Sequence, residues 1–169
     1  MIELHLKWAV RPGRTQYGNR SRTGPVWVGR GSVGSVHRRS AEQLWNQKKL
    51  DTIDRLFAPD GIAHGLTGDA MKGPEGFRAF YSAFSEAFPD IHIEVLRTVV
   101  EGEFVVTHNR VTGSHAGHTL GFPATGRNTT FEGVSIIRVV DGKIAEAWNF
   151  YDFLSMYQQL GVTPPMMGV

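Results

Sequence analysis

The chain has 169 residues, no cysteine and a formal net charge of +2, enough for one domain with a sizeable core. The missing cysteines exclude disulfides, thiol chemistry and zinc–thiolate sites, and no stretch reaches the ~20 apolar residues of a membrane helix. Residues 1–40 hold Lys7 and seven arginines against Glu3, whereas the remainder holds 10 basic and 15 acidic residues, so the basic surplus belongs to one segment rather than to a folded nucleic-acid-binding face.

Residues 1–39 carry glycine at 13, 18, 24, 29, 31 and 34 and no sustained helical period. Such a segment has little apolar surface to offset its ordering entropy. It reads as a flexible basic tail, with a start codon set too far upstream or vector-derived sequence as the plain explanations. It contains no apolar run of the secretory kind, so a cytoplasmic location is expected. The folded body is expected over residues 40–163, followed by a short tail, 164–169.

The body opens with "SAEQLWNQKKLDTIDRLFA". Ser40 with Gln43 three residues on is a capping-box pattern. Leu44, Leu50, Ile53, Leu56 and Phe57 supply a helical stripe, with Asp51 opening a second short helix. "APDG" predicts a turn and "IAHGL" a short strand. "GPEGFRAFYSAFSEAFPD" predicts an amphipathic helix with Phe77, Phe80, Tyr81, Phe84 and Phe88 on one face, ended by Pro89. The period then changes to two. "IHIEVLRTVVEG" and "EFVVTHNRVTG" predict strands joined at Glu101-Gly102, and "SHAGHTLGFPATGRN" a loop. "TTFEGVSIIRVV" and "KIAEAWNFYD" predict a hairpin closed by Asp141-Gly142. "FLSMYQQLGV" predicts a closing helix. Helices first and antiparallel strands after predict an α+β fold with helices on one face of a curved sheet.

Strict alternation in the last strand places Ile144, Glu146, Trp148, Phe150 and Asp152 on one face, with Val134, Ile136 and Val140 on the opposite one. A carboxylate among large apolar groups is either an ion-pair partner or a tuned acid/base, because burial raises its pKa. Glu146 fits the first role, with Arg138 as a candidate partner. Asp152 fits the second, or caps the helix that follows.

The histidines carry open alternatives. His108 sits on a strand whose facing alternation leaves undecided; in a pocket it would donate to a developing enolate oxygen. His115 and His118 lie in a glycine-rich loop without the spacing or carboxylate partner of a metal site, so no metal is expected, and His115 bonding loop backbone is the plain reading. His64 either lines a pocket mouth or is an exposed strand residue. No nucleotide or nucleophile-elbow motif is present.

Taken together, "GPEGFRAFYSAFSEAFPDIHI", "VTGSHAGHTLGFPATGRNTTFEGVSIIRVVDGKIAEAWNFYD" and "LSMYQQLGV" resemble the SnoaL-like polyketide cyclases, or ester cyclases, from about Glu42 to Val162. The resemblance implies a cone-shaped α+β barrel, related to ketosteroid isomerase, whose curved, mainly antiparallel sheet wraps helices and an apolar pocket. It implies closure of a polyketide ester ring by intramolecular aldol condensation, without metal or cofactor. It also implies an acidic acid/base near the end of the last strand, for which Asp152 is the matching position, and a homodimer. The expected site is then Asp152 and His108 as catalytic residues, with His64, His115, Trp148, Phe150, Phe80 and Phe84 around a hydrophobic carbonyl substrate. Epoxide hydration and a non-catalytic binding or dimerisation module are the alternative readings.

Overall fold

The structure is a computed structural model and describes residues 36, 39–118 and 120–162. The two expected tails lie outside the described residues except for Val36 and Arg39. Val36 is fully buried in the core, so the packed body takes in a residue ahead of Ser40.

Helix α1 (Ser40–Asn46) is wound wider than an α-helix, and the backbone N–H of Gln47 reaches the carbonyl of Glu42 at 2.9 Å. Ser40 is its first residue, buried and without a side-chain cap, so the expected capping box does not form. Asn46 instead leaves α1 sideways, donating to the carbonyl of Ile93 at 3.0 Å and accepting from the Ile93 N–H at 2.9 Å. That two-way bond ties α1 to the sheet. Helix α2 (Asp51–Leu56) follows as expected.

Strand β1 (Phe57–His64) runs through the segment expected to turn. The turn chemistry appears as an irregularity, because the pairing steps from Phe57↔Ile144 to Ile62↔Glu146. Gly61 is needed there, since a Cβ would stand 2.7 Å from the carbonyl oxygen of Ile144. After the short β2 (Met71–Lys72), α3 (Gly73–Ala87) buries Phe77, Tyr81 and Phe84. Trp45 of α1 packs across this face, with its ring centroid 4.9 Å from Tyr81 and 6.2–6.3 Å from Phe77, Phe80 and Phe84. Each such buried side chain is worth about 1.5–3 kcal/mol, so this cluster anchors the helical layer.

Strands β3 (His92–Glu101), β4 (Phe104–Ser114), β5 (Asn128–Val140) and β6 (Lys143–Tyr151) complete a six-stranded sheet of order β2-β1-β6-β5-β4-β3. Among the described strands, only β1 and β6 pair in parallel. The fold is α+β as expected, but β2 and β3 are edges, so the sheet is open rather than a closed barrel. Asp141 and Gly142 have φ of 49° and 75°, the left-handed pair that a two-residue hairpin turn requires. Helix α4 (Phe153–Leu160) closes the chain and ends on left-handed Gly161. No helix among the described residues is long and apolar enough to cross a membrane.

Strict alternation fails in β6. Val139 faces Ile144, but Arg138 faces Glu146, so one step on β5 opposes two on β6 and Ala145 is a β-bulge. A one-residue insertion swaps the faces beyond it. Ile144 is buried. Past the bulge Ala147, Asn149 and Tyr151 turn inward, opposite the buried positions Ile137, Ser135 and Gly133. Glu146, Trp148 and Phe150 turn outward, opposite Arg138, Ile136 and Val134. Val134 and Ile136 therefore share the face of Trp148, contrary to expectation.

Candidate functional site

Between the helical layer and the inner face of the sheet lies a partly open cavity enclosing about 720 Å³ of non-atom space, its mouth included. Trp45, Phe77, Phe80 and Phe84 form its helical wall; Phe131, Ile137, Ile144 and Ala147 line the sheet side, and Phe153 borders it. Ser40, Ser135, Asn149 and Tyr151 are its polar groups. Three of these belong to one string on β5 and β6. Asn149 Nδ2 donates to the carbonyl of His64 at 2.9 Å, and Ser135 Oγ donates to Asn149 Oδ1 at 2.8 Å. Ser135 Oγ lies 3.4 Å from the Tyr151 hydroxyl. From β4, the fully buried Asn109 donates to the Tyr151 oxygen at 3.1 Å and to Thr107 Oγ1 at 3.2 Å.

Gly133 makes room for Tyr151. The two are cross-strand partners, and a Cβ at 133 would lie 2.2 Å from the tyrosine ring. Burial pushes the Tyr151 phenol above its ordinary value, against the opposing pull of the Ser135 and Asn109 bonds. Among the described cavity-lining residues, Tyr151 is the one with a titratable side chain.

The expected site residues divide sharply. Phe80 and Phe84 line the cavity. Asp152 does not: it is exposed, and its Oδ1 accepts from the Ser155 backbone N–H at 2.9 Å as the N-cap of α4. The apolar surroundings expected for it are absent, because the bulge sends its face outward. Trp148 is turned outward with Phe150, which is 61% exposed. His108 is also on the outer face, between Arg97 (2.9 Å) and Glu132 (2.7 Å); the His108 bond, ahead of Arg110, holds the Glu132 carboxyl below its ordinary value. His64 stacks on Trp148 and bonds Glu146 Oε1 at 3.1 Å. Glu146 thus has the structural role expected of it, with Arg138 at 3.9 Å as a second partner. The bulge brings those two opposite each other.

His115 is buried in the loop before β5, outside the cavity lining, against Phe88 and Phe122. Its Nδ1 accepts from the Thr125 backbone N–H at 3.1 Å, and its Nε2 is buried without a hydrogen-bond partner. Loop bonding is the role its contacts show. Burial, then nearby His118, lowers its pKa.

Ser135 and Asn109 escaped the sequence reading, and alternation set Asn149 and Tyr151 on the face away from the pocket. Their signal was present, since Ala147, Asn149 and Tyr151 are the alternate set to Trp148 and Phe150, but the bulge that decides between the sets leaves no distinctive residue.

The model of the SnoaL-like polyketide cyclase family matches residues 35–160. The chain is 37% identical over 126 residues to the aklanonic acid methyl ester cyclase DnrD of Streptomyces peucetius, covering 73% of this chain and 87% of that one. It is 28% identical over 123 residues to the nogalonic acid methyl ester cyclase of Streptomyces nogalater, covering 69% and 89%. Among solved structures, TsrD of Streptomyces laurentii superposes with a TM-score of 0.72 at 26% identity, covering 81% of this chain and all of that one. A ketosteroid-isomerase-like protein of Catenulispora acidiphila, at 17% identity, a TM-score of 0.65 and coverage of 76% and 93%, shares the fold.

Two outcomes follow from these placements. Asp152→Ala removes a helix cap and is expected to lower stability by about 0.5–2 kcal/mol, while Asp152→Asn retains the cap and leaves kcat/KM unchanged; a large loss of turnover in the asparagine variant, with unfolding unaltered, would contradict the capping role. His115 binds its proton less readily folded than unfolded, so the stability it confers is present above about pH 6.5 and is lost as pH falls through that value toward the folded-state pKa. The melting temperature of His115→Asn should fall less between pH 7 and pH 5 than that of the wild type; equal slopes would show that another group controls this range.

Proposed function

Because the chain belongs to the SnoaL-like polyketide cyclase family, we propose that it closes a ring in a hydrophobic carbonyl compound, by an intramolecular aldol condensation of a polyketide ester that stops at the aldol adduct without loss of water. The observation carrying this reading is the apolar cavity with a string of neutral polar side chains in one wall. An aromatic-lined space suits a flat polycyclic substrate, and the string offers polar groups for the oxygen where charge develops as the new C–C bond forms. The cavity walls would hold the chain of one substrate molecule folded, with its nucleophilic carbon beside its own carbonyl, which is the positioning that speeds an intramolecular reaction.

Epoxide hydration is the weaker enzymatic reading, because it asks for a carboxylate and a cation converging on water, and the described cavity lining carries neither. A binding module is separated by turnover. Incubation with aklanonic acid methyl ester or nogalonic acid methyl ester, followed by mass spectrometry and NMR, is expected to yield a ring-closed isomer of unchanged mass. Saturable binding of both esters with no product would sink the catalytic reading.

A homodimer through the outer face of the sheet belongs to the same reading. Val99, Val106, Ile136 and Trp148 are successive cross-strand partners and form an apolar row over four strands, with Phe150 exposed beside it. Such a row marks an interaction surface. Light scattering at micromolar concentration should give twice the chain mass of 18.7 kDa; a monomer there would argue against it.

A further inference from the structure

The polar string runs one way across the sheet. Asn109 of β4 donates to the Tyr151 oxygen at 3.1 Å. The Tyr151 hydroxyl has Ser135 Oγ at 3.4 Å, and Ser135 gives its own hydrogen to Asn149 Oδ1 at 2.8 Å. Asn149 Nδ2 ends the string on the His64 carbonyl at 2.9 Å. That last bond fixes the amide. A carbonyl oxygen only accepts, so a flipped Asn149 would set two oxygens against each other. Each donation toward Asn149 polarises the next group, which makes the amide N–H a stronger donor.

An amide nitrogen carries two hydrogens in the plane of the group, and the His64 carbonyl takes one of them. Asn149 is held from β1 on one side and from β5 on the other, so its plane stands across the sheet. The second hydrogen then points away from the strand backbones, into the cavity that this half-buried residue lines. The end of β1 is shaped for the contact. Gly65 turns the chain at a φ of 79°, and a Cβ there would lie 2.1 Å from the Asn149 backbone oxygen. Glycine therefore lets the end of β1 come this close to β6. On the outer face, Glu146 and Trp148 anchor the His64 side chain.

Resting on the cyclase reading, we infer that Asn149 is the residue that binds a carbonyl oxygen of the substrate, through the amide hydrogen not given to His64, and that Ser135 is a positioning residue for that amide. The oxygen-bearing edge of a flat ligand then lies against β5 and β6, and its hydrocarbon face against Phe80 and Phe84 of α3. The donor is in place before the ligand arrives, so no reorganisation opposes the growth of charge on the bound oxygen.

The test uses the full chain and fluorenone, a flat ketone, isotope-labelled at its carbonyl carbon. Hydrogen bonding lowers a carbonyl stretching frequency, so the infrared band of the bound ketone reads the donor directly. The wild-type band is expected below that of Asn149→Leu, which keeps the size of the side chain without its donor, and affinity should fall about three- to tenfold in that variant. Ser135→Ala should give an intermediate band, because one of the two anchors of the amide is gone. In the wild type, one of the two Asn149 Nδ2 proton resonances should move on binding while the one bonded to His64 stays, a reading that does not depend on a variant folding. An equal band in wild type and Asn149→Leu, two unmoved amide protons, or no binding of fluorenone overturns the assignment of Asn149; a wild-type band in Ser135→Ala overturns the positioning role. With aklanonic acid methyl ester, Asn149→Leu should lower kcat by about 10²–10³-fold, and a change confined to KM would overturn the stabilisation of charge. If neither that ester nor nogalonic acid methyl ester is turned over, the cyclase reading fails, while the fluorenone measurements still decide the role of Asn149.

Discussion

Between the Asp141-Gly142 turn and the cavity, β6 carries one more residue than the strand it pairs with, and each side chain beyond Ala145 is placed by that insertion. The pleat has a period of two, so a single unpaired residue exchanges the faces of everything after it. Without the bulge, Glu146, Trp148 and Phe150 would fill the cavity. With it, the space opposite Ile137, Ser135 and Gly133 receives Ala147, Asn149 and Tyr151. The small Ala147 leaves volume and the other two leave hydrogen-bonding groups. Gly133 completes the arrangement, because only a residue without Cβ tolerates the Tyr151 ring at that approach.

The same exchange sorts charge. Bringing an ionised carboxylate into an apolar cavity costs several kcal/mol unless it is paired, whereas a string of neutral groups that satisfy one another is stabilising by about 0.5–1.5 kcal/mol per bond. The inner wall takes the second solution. The charges occupy the outer face, where Arg97, His108, Glu132, Arg110 and Glu94 form one ladder and His64, Glu146 and Arg138 another. Exposed ion pairs of this kind contribute little individually; together they flank the apolar row of Val99, Val106, Ile136 and Trp148 with polar groups.

The cavity also depends on contacts distant in sequence. The loop after β4 folds back onto the end of α3, where the N–H groups of Ala116 and Gly117 both reach the carbonyl of Ala87. That contact satisfies a helix-end carbonyl and requires glycine, since a Cβ at 117 would meet the Glu86 oxygen at 2.2 Å. His115, buried beside it, holds the returning strand of the loop through Thr125. The Asp152 cap starts α4, which in turn lays Gln159 across Thr130 through both of its amide atoms. His115 and Asp152 were candidates for chemistry by type, and both serve to keep the layers in register.

Much of the fold was legible in the residues themselves. The aromatic period of Phe77, Phe80, Tyr81 and Phe84 specifies a helix and its buried face, the change to period two marks the strands, and Asp141-Gly142 supplies the left-handed turn that a tight hairpin needs. These are local preferences, acting over a few residues, and the α+β class follows from their order. What the chain could not state locally is which way β6 faces, since a bulge is a property of two paired strands and Ala145 has no preference for it. Only the pairing of Arg138 with Glu146 and of Val139 with Ile144 decides that. The carboxylate that a reading by alternation puts in the pocket therefore caps a helix in solvent, while an amide and a phenol from the opposite set face the cavity.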